Sequence, residues 1–200
     1  SDGMTPRRLS AKVAGGKIEV DGMASSSGLG GFTVAATLTD ADLERLVCDS
    51  HGSPHRSKGR VFGSVEMSGT RAGTHSFRGH GQLRIRDADV YELPLVVAML
   101  KMLRVKSPDL NAFGSSFIQF RIAGPHAYLD EIELAGDAIS LVGNGEVGFD
   151  GNVQMTFRSI MGDAEEQLPA MKRMLGGASG QFLLLHVDGS LSSPELSTEA

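Results

Sequence analysis

The stretch FGSSFIQFRIAGPHAYLDEIELAGDAISLVGNGEVGFDGNVQMTFR, residues 113–158, decides the fold. Ile118, Phe120 and Ile122 alternate with Gln119 and Arg121. Ile132 and Leu134 alternate with Glu131 and Glu133, and Ile139 and Leu141 follow Gly136-Asp137. Val147 and Phe149 lead into Asp150-Gly151. Val153, Met155 and Phe157 then return against Gln154, Thr156 and Arg158. A period of two sends successive side chains to opposite faces of a strand. Asp-Gly between two such runs is a strong hairpin signal. The pattern predicts an antiparallel meander, oily on one face and wet on the other.

Outward from this stretch the same period recurs. Residues 9–13 and 17–21 read as short strands joined at Gly15-Gly16. Residues 32–38 place Val34, Ala36 and Leu38 on one side. Residues 60–68 place Val61, Val65 and Met67 inward, and residues 79–90 do so with Leu83 and Ile85. Three segments read as helices. Thr39 is placed to cap a helix over 39–48, with Asp42 three residues on. Residues 93–105 hold ten apolar residues in thirteen, a wider stripe than a surface helix needs. Residues 163–175 form the third, ended by Gly176-Gly177. Residues 180–191 read as the last strand. The expected fold class is α+β: a curved, mostly antiparallel meandering sheet, with two or three helices packed on or capping its apolar concave face. Residues 1–8 are expected to be a linker, 9–192 a single domain and 193–200 a flexible tail.

Composition narrows the function. A net charge of −5 argues against nucleic acid, whose binding needs a basic face. The single Cys48 rules out an internal disulfide framework. No stretch reaches the roughly 18 apolar residues of a membrane span, and the first residues carry no signal-peptide pattern. Ser1-Asp2-Gly3-Met4-Thr5 is expected to be either an added leader or the middle of a longer protein.

The chemical motifs are weak. Gly143-Asn144-Gly145-Glu146-Val147-Gly148 matches G-x-G-x-x-G, but a dinucleotide site needs it between a strand and a helix. Here a strand-like run and a hairpin follow, so the glycines are expected to form a tight turn. His51 and His55 flank Gly52 and Pro54, which deny the helix that would align two metal ligands. Cys48 near His51 sits at the end of an amphipathic segment, where a small buried residue is commoner than a nucleophile. Asp130, Glu131 and Glu133 read as a solvated face. No enzyme class, cofactor or metal is expected.

A resemblance is carried by the order of parts. The segment 39–48 follows a strand. Gly79-His80-Gly81-Gln82-Leu83-Arg84-Ile85-Arg86-Asp87-Ala88-Asp89-Val90 comes next, and Leu93-Pro94-Leu95 opens an apolar segment. Residues 117–141 have a strand, turn, strand rhythm, and Val187-Asp188-Gly189-Ser190-Leu191-Ser192-Ser193-Pro194-Glu195-Leu196 closes the run. This resembles the C-terminal region of AsmA-like proteins of the bacterial envelope, over residues 37–196. The resemblance implies an inner-membrane anchor outside this piece and a soluble part in the periplasm. It also implies similarity to bridge-like lipid transfer proteins, which serve outer membrane biogenesis. Their curved sheets form an apolar groove for phospholipid acyl chains, and no catalytic residues are implied.

Two functions are expected to compete. In the first, an apolar groove binds the acyl chains of phospholipid or another lipid. Its candidate lining is Leu95, Met99 and Met102 in the 93–105 segment, with Ile118, Phe120, Ile122, Val153, Met155 and Phe157 in the sheet. In the second, the core is sealed and the domain is a docking module whose partners are envelope proteins.

Overall fold

The structure, a computed structural model, describes residues 4–25, 30–46, 58–89, 114–136, 139–161, 184–191 and 193–199. These form eleven strands: β1 Met4–Val13, β2 Gly16–Ser25, β3 Phe32–Asp42, β4 Lys58–Gly69, β5 Arg78–Asp89, β6 Ser115–Ala123, β7 His126–Ala135, β8 Ile139–Gly148, β9 Val153–Met161, β10 Leu184–Ser190 and β11 Ser193–Glu199. They pair in sequence order within one sheet, each antiparallel to the next. The sheet is open, with β1 and β11 as its edges. At a strand spacing of about 4.8 Å it spans about 48 Å from edge to edge.

The expected α+β class does not hold. The described residues are almost entirely one antiparallel sheet. Helix among the described residues is confined to a turn at residues 43–46 and a 3-10 turn, Thr74–Ser76. The helix expected over 39–48 is corrected in its first turn. β3 continues through Asp42, because Thr39 still pairs with Lys17 of β2 and Ala41 pairs with Val61 of β4. A bulge between Leu38 and Ala41 absorbs the change of phase. Asp40 sits in it at φ 57° and holds Arg60 through both carboxylate oxygens. The cap of the helical turn is Asp42, whose Oδ1 accepts from Arg45 N at 3.1 Å. Strand pairing and burial of Ala41 and Leu43 outweigh a local capping preference. The helices expected at 93–105 and 163–175 lie outside the described residues.

Residues 4–8 and 193–199, expected as linker and tail, lie in β1 and β11. The β1–β2 hairpin turns at Ala14-Gly15, with φ of 48° and 77°, the paired positive values of a type I′ turn. The expected hairpin at Asp150-Gly151 joins β8 to β9. At this end of the sheet the loops are laced to one another. Gly124 N donates to Phe77 O at 2.9 Å, Phe149 N to Pro125 O at 2.9 Å and Leu191 N to Gly151 O at 3.0 Å.

The buried apolar side chains form one cluster. It runs from Ala41, Val61 and Ala88 to Ile132, Leu141, Val153, Met155, Phe157, Leu185 and Val187. The wet face is tied by cross-strand pairs of opposite charge. Arg8 Nε lies 2.6 Å from Asp21, and Arg121 grips both oxygens of Asp130 at 2.7–3.0 Å. Guanidinium groups also stack on aromatic rings there, Arg84 over Phe117 at 5.2 Å and Arg86 over Phe62 at 5.5 Å. Such stacking suits an exposed sheet face.

A candidate acyl-chain face

Register decides which residues share a face. Phe120 of β6 pairs with Leu129 of β7, Leu129 with Gly145 of β8, and Gly145 with Met155 of β9. Ile118 connects in the same way through Ile132 and Gly143 to Phe157, and Ile122 through Ala127 and Val147 to Val153. The six candidates in the sheet therefore stand on one face, in three adjacent rows. Leu95, Met99 and Met102 lie outside the described residues.

The middle row does not stop at these strands. Beyond Met155 it passes to Val187 and Leu196. Beyond Phe120 it passes to Gly81, Val65, Ala36, Val20 and Leu9. Each of the eleven strands thus contributes an apolar residue or a glycine to one unbroken row. Exposure is graded along it, from 0% at Val187 and 6% at Met155, through half-buried Phe120 and Val20, to 65% at Leu9. Of the members outside β6 and β9, Ala36 and Val65 were legible as inward residues of their strands. The alignment into one row was not, because alternation fixes a face within a strand and register fixes it between strands.

The glycines of this face have a packing reason. A Cβ at Gly81 would meet Phe120 Cζ at 2.5 Å, and one at Gly143 would meet Phe157 Cδ1 at 2.6 Å. Each ring lies over the glycine of the neighbouring strand, a known way of covering sheet glycines. The expectation that residues 143–148 form a tight turn is therefore corrected. They are the second half of β8, and their glycines serve close approach of large side chains from β9. The dinucleotide reading lacks its helix, since β8 leads into the β9 hairpin.

A phase change in the β7 sequence is absorbed by a second bulge. Ala127 and Leu129 are odd-numbered, Ile132 and Leu134 even, yet all four face the core side. Gln119 pairs with Glu131 and Phe120 with Leu129, leaving Asp130 as the extra residue. Pushed outward, Asp130 meets Arg121, and the guanidinium holds its carboxyl below the usual carboxylate range.

Two shallow depressions open on the opposite, polar face. They hold about 540 Å³ and 490 Å³ and are lined mainly by polar side chains of β6 to β10. Among the described residues no group of three or more His, Cys, Asp or Glu side chains is placed to hold a metal ion. His51, His55 and Cys48 lie outside the described residues. No helix among the described residues is long and apolar enough to cross a membrane. No protein-family model matches the chain, and neither the curated proteins nor the solved structures searched contain a match.

Proposed function

We propose that this chain is a non-enzymatic domain that carries phospholipid acyl chains along its apolar sheet face. In this reading it is the periplasmic part of an inner-membrane-anchored, AsmA-like envelope protein. The observation that supports it is the unbroken apolar row over eleven strands, buried at β10 and open towards β1. Apolar contact is non-directional and contributes about 0.8 kcal/mol per buried CH₂. A row without polar interruptions holds a tail and lets it slide, because each step exchanges one set of equivalent contacts for another. The Phe120 and Phe157 rings occupy the space that a side chain at Gly81 or Gly143 would need.

The test is photocrosslinking from single benzophenone positions on the intact chain, produced in bacteria and analysed by native mass spectrometry. Lipid adducts are expected from positions 118, 120 and 122 and not from 119 and 121. Absence of copurifying lipid together with no uptake of fluorescent phospholipid would reject the reading.

One observation favours a second reading. Leu141, Leu185 and Val187 are 0% exposed and Phe157 1%. A face closed in this way over its whole width would be a dry core, and the domain a docking module for envelope proteins. In that case a pull-down of envelope proteins would depend on an edge strand, β1 or β11, and positions 118–122 would give no lipid adduct.

A further inference from the structure

We infer that the polar face carries a carbohydrate-binding trough across β6 to β10, independent of what the apolar face does. The two depressions there adjoin, sharing Asp130, Asn144 and Thr156. Each has the volume of a small-molecule site, which is typically about 300–1,000 Å³. Together they form two adjoining shallow depressions along the polar face.

The side chains that line the trough are planar hydrogen-bonding groups. Gln154 and Asn144 each present a donor and an acceptor side by side, and a carboxylate such as Glu146 accepts from two hydroxyls at once. These are the groups that match the vicinal hydroxyls of a sugar. The walls are held in place before any ligand arrives. Gln154 Nε2 donates to Asp188 at 3.3 Å, Thr156 Oγ1 lies 3.2 Å from His186 Nδ1, and Arg121 is locked to Asp130. Between these walls Asn144 and Glu146 stand two residues apart on β8. Neither makes a side-chain hydrogen bond to another described residue. Their spacing along the strand is about 7 Å.

Charge and stacking select the ligand class. Arg121 is the one Lys or Arg side chain lining the larger depression, where Asp130 already neutralises it, and Arg158 lines the smaller one together with Glu131. Glu146 and Asp188 then leave the site negative, which disfavours phosphates and uronic acids. Tyr128 is its one Phe, Tyr or Trp, and the Arg121 guanidinium sits 5.8 Å from the ring centroid. A flat aromatic ligand therefore has no free platform. What fits is a neutral polyhydroxylated chain.

The test is an amide-shift NMR titration of the intact chain with maltopentaose and, separately, with the N-acetylglucosamine pentamer; pentalysine is the cationic control. Saturable shifts at residues 121, 144, 146, 154 and 186 are expected with at least one saccharide. Asn144→Ala and Gln154→Ala, both exposed positions, should each weaken that binding about five- to tenfold, the loss of one hydrogen bond. The melting temperature and lipid uptake should stay unchanged. No saturable shift with either saccharide at millimolar concentration overturns the proposal. So do shifts confined to other residues, a response to pentalysine alone, or unaltered affinity in both variants.

Discussion

Gly143 and Gly81 show how a single atom can matter in this sheet. A methyl group at Gly143 would sit 2.5 Å from the Thr156 carbonyl oxygen as well as against the Phe157 ring. Neither backbone nor a buried ring can yield cheaply. Gly143→Ala should destabilise the fold by about 1–3 kcal/mol, the usual cost of overpacking, and Gly81→Ala by a similar amount. Gly114→Ala is the control for space, since nothing lies within 4 Å of its Cβ position and its φ is not positive. Urea denaturation of the three variants checks the order. A second residue-scale effect depends on pH. Arg121 holds the Asp130 carboxyl below its ordinary range, chiefly by hydrogen bonding. The pair's stabilisation is therefore complete above the pKa of an unfolded aspartate, about 3.9. It is lost as pH falls through the lower folded value. Arg121→Gln should melt slightly lower than the parent at pH 7, and the gap should close on acidification towards pH 2. The gap will be small, because the pair is exposed and screened.

At the scale of the element, the two bulges carry most of the information that alternation alone misses. Leu38 and Ala41, like Leu129 and Ile132, change parity within one strand. A regular strand would turn one half of each pair to water. Deleting Asp130 removes the extra residue and leaves Leu129-Glu131-Ile132 in strict alternation, so all four keep the core face without a bulge; deleting Glu133 instead sets Ile132 beside Leu134, and one of the two must face solvent. Deleting Glu133 should abolish cooperative unfolding and deleting Asp130 should preserve it, measured by near-ultraviolet circular dichroism against urea. Deleting Ala72, in the exposed loop before Thr74–Ser76, should preserve it too. The parity change was visible in the sequence. The position of the bulge was not, because it depends on which residue the neighbouring strand leaves unpaired. The helix expected at 39–48 failed for a related reason. Its capping residues were present, but Thr39 had a partner on β2, and that pairing extends the strand.

For the whole molecule, nearest-neighbour pairing is the governing fact. Each strand contacts chiefly the strands before and after it, so stability propagates along the sheet much as in a repeat protein. The apolar row is sealed at β10 and exposed at β1. Local opening should therefore begin at β1. Hydrogen exchange should be fastest in Met4–Val13 and slowest in Val153–Met161, with intermediate rates in β4 and β5. If β1 exchanges as slowly as β9, another surface covers it in solution and the graded face is not available to a ligand.

Alternation in residues 113–158 determined that the protein is an antiparallel meander with one oily and one wet face, and it placed Ile118, Phe120 and Ile122 together. Phe157, Met155 and Val153 were likewise legible as one side of a strand. Side-chain direction has a period of two within a strand, which a sequence displays directly. Whether those two sets share a face, which glycines lie under which rings, and how far the apolar row runs were decided only by the tertiary structure. Those facts depend on register and bulges, which are properties of pairs of strands. The polar trough was undetectable in the sequence for the same reason. Its walls come from five strands, and each contributes residues that on their own read as an ordinary solvated face.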